Sequence, residues 1–162
     1  MENARDTFYV TLRNRLSALN PNRRMLLRGV ERPGILVDEN ESMASKPPAD
    51  IFVLRWTGVK VDTQHALPWM QQVCEISYMT AGSESTGGLD RGRALMAMDG
   101  ELRAMLQPTR TLKMNYAVTP AVAMETQVFW IDPVFGAATK ADDELSRTVD
   151  VTVYSYEEAG EQ

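Results

Sequence analysis

A chain of 162 residues can bury roughly 68–70% of its unfolded surface, so it needs no disulfide framework to hold a core. Its 17 basic and 22 acidic side chains give a net charge of -5 and a pI near 4.9, which disfavours a general nucleic-acid-coating role. The single cysteine, Cys74, and single histidine, His65, exclude an intrachain disulfide and any multi-cysteine metal site, and they suit a reducing compartment.

The N-terminal MENARDTFYV lacks the apolar core of a signal peptide, and no run reaches the roughly eighteen apolar residues of a membrane span. The expectation is a soluble chain that is not exported by that route. Residues 3–19 read as a helix, because Phe8, Leu12, Leu16 and Leu19 recur at steps of four and three, with Asn3 as N-cap. Asn20-Pro21 stops it. Residues 23–30 read as a strand turned at Arg32-Pro33-Gly34, and Ile35-Leu36-Val37 as a short apolar segment. Residues 38–49 hold Asp38, Glu39, Glu41, Pro47 and Pro48 and read as a mobile acidic excursion.

Residues 51–61 are rich in β-branched and aromatic side chains and predict a strand kinked at Gly58. Residues 70–80 predict another, with Cys74, Ile76 and Tyr78 on one face. A glycine-rich connection follows, Gly82-Ser83-Glu84-Ser85-Thr86-Gly87-Gly88, and then a long helix over 89–107, with Leu95, Met98, Leu102 and Met105 or Leu106 on one side. The methionines crowding this helix, Met96, Met98 and Met105, read as adaptable core filling.

Residues 110–118 predict a half-exposed strand that sets Leu112, Met114 and Tyr116 against Lys113 and Asn115. Residues 126–131 add another strand, and a second excursion spans 132–144. From Leu145 the chain alternates, with Val149, Val151 and Val153 opposite Thr152, Tyr154 and Tyr156. The acidic tail over 157–162 reads as frayed. Together these elements predict one α+β domain over 1–162, a mixed and mainly antiparallel sheet packed against an N-terminal helix and a long central helix.

Chemistry is sparse. Cys74 sits on a predicted apolar face and reads as an inert buried thiol, not a partner of His65. Glu75, Asp90, Asp99 and Glu101 lack any cation-loop spacing and read as surface charge. The glycine-rich connection resembles a phosphate loop only superficially: no Lys followed by Ser or Thr closes it, and Glu84 would repel an anion. No catalytic residue, cofactor site or metal site is expected.

Three stretches resemble the tail terminator proteins of long-tailed bacteriophages and prophages. They are CEISYMTAGSESTGGLDRGRALMAMDGELRAML at 74–106, the ending SRTVDVTVYSYEE at 146–158, and the opening helix TFYVTLRNRLSAL followed by Pro-Gly and an apolar strand. The resemblance implies a structural virion protein, not an enzyme. It would form a hexameric ring that caps the head-proximal end of the tail tube, stops tube growth and presents the docking face for the neck. The implied partners are copies of itself, the tube protein and the neck connector, with DNA passing through without specific binding; assembly would take place in the host cytoplasm. On that reading Asp38, Glu39, Glu41, Asp142 and Asp143 would line the bore or face neighbours, and Gly82, Ser83 and Glu84 would contact the tube. The alternatives are another neck or tail-completion protein, or a small-molecule-binding or enzymatic domain with Tyr78, Tyr116, Trp130 and His65 lining a pocket.

Overall fold

The structure is a computed structural model that describes residues 1–39 and 46–161. In chain order its elements are α1 (Glu2–Leu19), β1 (Arg24–Leu27), β2 (Val30–Pro33), β3 (Ile35–Val37), β4 (Phe52–Asp62), β5 (Trp69–Thr80), α2 (Arg91–Met105), β6 (Thr109–Asn115), β7 (Val122–Phe135), β8 (Thr139–Ala141) and β9 (Glu144–Tyr156). Six strands form a curled sheet in the order β3-β4-β5-β9-β7-β6, and β8 pairs β9 past the end of β7. Among the described residues only β3–β4 is a parallel pair.

This corrects the expected fold class. The molecule is mostly β, 46% strand against 23% helix, and is not an α+β fold built on a long central helix. The helix expected over 89–107 shortens to Arg91–Met105, and at 15 residues it is shorter than the 18-residue α1. Asp90 turns its carboxylate back into the preceding loop, and Leu106 has already left helical geometry before Pro108. The spine of the molecule is instead the β5–β9 pair, which runs in register from Trp69↔Tyr156 to Thr80↔Leu145. Long-range strand pairing of this kind has no periodic signature in sequence.

Period-two alternation decides what the sheet buries. In β5 every second residue from Met70 to Thr80 is buried, and in β9 Val149, Val151 and Val153 are. Of these, Cys74, Ile76 and Tyr78 of β5 and the three valines of β9 meet Phe8, Leu12 and Leu16 of α1 and Leu95, Met98, Leu102 and Met105 of α2 in one core. Phe8 sets its ring edge-on to Trp130 at 5.0 Å and to Trp56 at 5.8 Å. Helix α1 also shields the β6 edge, where the Met114 N–H donates to Thr7 Oγ at 2.9 Å. Arg15 donates to Met105 O at 2.7 Å and to Gln107 O at 3.2 Å, satisfying carbonyls left open at the end of α2.

Several local expectations change. The strand predicted over 23–30 is a hairpin of β1 and β2 turned at Arg28 (φ 50°) and Gly29 (φ 80°). Both central residues carry the positive φ that two-residue hairpins favour, and arginine gives no hint of it. Met25 and Leu27 of this hairpin close a second small core with Leu36, Ile51 and Val53 on the outer side of the sheet. The residues expected as an excursion over 132–144 are the far end of a long hairpin. Val134 and Phe135 continue β7 past a bulge, Gly136 N–H donates to Thr148 O at 2.9 Å, and β8 closes onto β9. Asn3 lies within α1 and is not its cap.

The predicted faces of β6 are reversed. Lys113 is 0% exposed and Leu112 is 48% exposed, because Thr109 and Thr111 pair with buried Trp130 and Val128 and put the odd-numbered positions of β6 on the core face. The β6–β7 register shift between Leu112 and Met114 adds its extra residues to β7 and leaves this alternation unchanged. The tail expected to fray is bound there instead. Lys113 Nζ donates to Tyr156 O at 2.6 Å and to the Glu161 carboxylate, and it lies 3.6 Å from Glu158. The Glu158 carboxylate in turn accepts the N–H groups of Glu125 (3.1 Å) and Thr126 (2.7 Å), which the register shift leaves without ladder partners.

Candidate functional site

Both helices lie on the core face of the sheet, so its outer face is open wherever the β1–β2 hairpin does not reach. Register fixes what that face displays. Trp69 stands opposite Tyr156; Gln71, Tyr154, Phe129 and Arg110 form the next row across; Val73, Thr152 and Ile131 form the row after that. The rings contact one another. Trp69 stacks on Tyr154 at 5.6 Å and 25°, Tyr154 on Phe129 at 5.1 Å and 16°, and Tyr156 leans on Trp69 at 4.7 Å. None of these four is buried, and Ile131 is 40% exposed.

Charges border this aromatic centre. Lys60 and Asp62 pair with Gln71 and Trp69 from β4, Arg110 lies beyond Phe129, and Glu75 and Asp150 lie two residues further along the strands. An apolar aromatic centre inside a charged rim is the composition of a protein-binding surface. Sequence alternation had already put Tyr154 and Tyr156 opposite the buried valines of β9. It could not bring Trp69 and Phe129, from two other strands, beside them.

On the opposite side, between α2 and the β7–β9 hairpin, lies a cleft of about 290 Å³ lined by Met96, Asp99, Gly100, Arg103, Phe135 and Arg147. The Tyr78 hydroxyl donates to Asp99, and Arg147 Nε lies 3.0 Å from Asp99 Oδ1, an ion-pair distance not aligned as a hydrogen bond. Burial first, then the bond to Asp99 and its charge, push the Tyr78 phenol above its ordinary value, and Arg147 partly offsets them.

The glycine-rich connection is a self-bonded unit. Asp90 Oδ1 accepts the Ser83 N–H at 2.9 Å and the Thr86 hydroxyl at 2.6 Å, and Gly88 N–H donates to Ser83 O at 3.1 Å. The bond from Thr86, then those from Ser83, hold the Asp90 carboxyl down at about 2. Gly82 (φ 75°) is required, since a Cβ there would sit 2.6 Å from Asp90 Oδ1.

The expected contact residues fall in separate places. Gly82, Ser83, Glu84 and Asp143 come together with Arg91 around a shallow cleft of about 260 Å³. Asp142 and Asp143 form the tip of the β8–β9 turn. Asp38 and Glu39 lie at the end of β3; Asp38 N–H donates to Leu54 O at 2.8 Å, and the Glu39 carboxylate accepts the Trp56 N–H at 2.8 Å within the β4 irregularity. Glu41 lies outside the described residues. Of the alternative pocket liners, Tyr78 borders the α2 cleft and Trp130 is buried in the core, while Tyr116 and His65 are exposed. Cys74 is buried and its thiol is pushed up, first by burial and then by the charge of Glu39. Among the described residues no group of three or more metal-ligating side chains occurs, and no helix is long and apolar enough to cross a membrane. No known protein family matches the chain, and no curated protein matches it.

Proposed function

We propose that this chain is a structural subunit that works by protein contact, as a ring-forming component that terminates a phage tail tube and offers the neck its docking face. The observation that carries the reading is the open aromatic face of Trp69, Phe129, Tyr154 and Tyr156, with Ile131 beside them. Trp and Tyr are the side chains that most often anchor protein interfaces, and this contiguous patch of half-buried rings edged by exposed Tyr156 and Ile131 fits a contact site. The likeness of 74–106 and 146–158 to tail terminators supplies the specific role. In such a ring the net charge of -5 per subunit lets DNA pass without adhering, because phosphate attraction is the main non-specific binding term.

The test is end capture. Fluorescently labelled chain is mixed with growing tubes of the tube protein from the same phage or prophage and imaged by electron and fluorescence microscopy. Label at one end of each tube, with elongation halted, is the expected result. Tubes that lengthen at the unperturbed rate and carry no label at their ends would refute the role.

A further inference from the structure

Two surface features of the chain, a cleft beside α2 and the β8–β9 turn, carry opposite charge. The socket is the α2 cleft, whose roughly 290 Å³ equals about ten waters at ~30 Å³ each, room for the side chains of a tight turn. Met96 and Phe135 give it apolar walls, and Gly100 faces open space, with nothing within 4 Å of where a Cβ would stand. Its single carboxylate, Asp99, is already engaged by Tyr78 and Arg147. Besides that ion pair, Arg147 is held by a hydrogen bond from Nη1 to Gly136 O at 2.5 Å. Arg103, at the rim, makes no ion pair among the described residues. Two guanidiniums against one carboxylate leave this cleft positive in a chain whose net charge is negative.

The knob is the β8–β9 turn, where the Ala141↔Glu144 pair closes on Asp142 and Asp143. Asp142 carries the positive φ (51°) of a tight hairpin, and the Asp143 side chain is 98% exposed. Asp143 lies 3.7 Å from Arg91, whose side chain is 24% exposed, and a pair this long with its carboxylate almost wholly in solvent holds it weakly. We infer that the Asp142–Asp143 turn of one copy seats in the Arg103–Arg147 cleft of the next. A guanidinium fork and a carboxylate are complementary in charge and in planar shape, and exposed Arg103, which makes no ion pair among the described residues, has its fork available, while Arg147, held against Asp99 and Gly136 O, adds its charge behind it. Knob and socket are different patches of one surface, so the contact is head-to-tail and propagates around a ring if the rotation closes. The inference rests on the self-association proposed above and names the contact that builds it.

The experiment is a charge swap read by sedimentation velocity at about 0.1 M salt, on wild type, Arg103→Glu, Asp143→Lys and an equimolar mixture of the two variants, with circular dichroism as the folding control. The wild type should self-associate, and each variant alone should need at least about tenfold more protein to do so. In the mixture, the lysine knob of one variant meets the glutamate socket of the other, and the two native groups, Asp143 on one chain and Arg103 on the other, still pair. Mixing should therefore restore association to near the wild-type level. Variants that associate as the wild type does, or folded variants whose mixture stays dissociated, would overturn this contact and leave the ring standing. A wild type that stays monomeric, alone and with tube ends present, would overturn both.

Discussion

Lys113→Met puts the largest polar feature of the interior to the test. The Lys113 side chain is 1% exposed, Glu161 is 2% and Glu158 is 14%. Removing the ammonium leaves Tyr156 O without that donor. It also leaves Glu161 with only the N-terminal ammonium at 3.6 Å, Asn3 at 3.3 Å and the Glu158 N–H at 2.8 Å. Breaking a buried pair from one side costs roughly 3–5 kcal/mol. Because Glu161 retains those partners, the low end is expected, about 3 kcal/mol, or a melting temperature lower by about 6–12 °C for a chain of this size. Urea unfolding followed by tryptophan fluorescence measures it, and Glu161→Gln in both backgrounds gives the coupling, expected above about 1 kcal/mol.

The pH dependence adds a second reading. For Glu161, burial acts to raise the pKa, but bonds from the Glu158 N–H and from Lys113 outweigh it and the carboxyl is held low; Glu158 is likewise held low, chiefly by Thr126 and Glu125 against burial. A folded pKa below the unfolded value of about 4.3 means stability that is present above that value and lost as pH falls through the folded one. Wild-type stability should therefore decline below about pH 5, and Lys113→Met should show a shallower decline. A loss under about 1 kcal/mol at neutral pH, with an unchanged acid slope, would refute the account of this network.

Other expectations follow from single side chains. Leu102 is 0% exposed in the core, so Leu102→Asp buries an unpaired charge and should leave the chain unfolded by circular dichroism; a folded variant would remove that residue from the core. Asp90→Ala should loosen the 82–88 loop and speed its proteolytic nicking several-fold. In the wild type the same loosening should set in only as pH falls from about 4 towards about 2, the window between the ordinary and the held-down carboxyl; proteolysis unaffected by the substitution would refute the bonding described for Asp90. Native Cys74 should resist thiol reagents until the chain is unfolded, and labelling at the rate of a free thiol would contradict its burial.

What could be read from the sequence was local. Steps of three and four marked α1 and the buried stripe of α2, and alternation marked β5 and the two faces of β9, including Tyr154 and Tyr156 on the open one. What could not be read depended on residues far apart in the chain. Lys113 looked like a polar-face residue because neither the pairing of β6 with Val128 and Trp130 nor its partners 45 and 48 positions away (Glu158 and Glu161) leave a trace in the alternation of β6. Gly136 and Asp142-Asp143 carry ordinary loop composition, yet they serve a bulge-bent hairpin whose pairing is decided across β9. Helical periodicity is visible within one segment whereas the β5–β9 pairing joins distant ones, so the fold class expected from periodicity gives α2 a weight that belongs to the sheet. The aromatic face was half visible for the same reason, since each ring sits on a readable strand but their meeting depends on strand order.

The most direct measurement of the central claim uses Ile131→Glu, which places a charge on the aromatic face at a side chain already 40% exposed, so the fold should tolerate it. Wild type and variant, matched by circular dichroism and urea midpoint, are compared for capture at the ends of growing tail tubes. The account predicts that the variant folds normally and loses end capture by at least about tenfold. A folded variant that caps tubes as the wild type does would show that the aromatic face is not the surface through which this protein works.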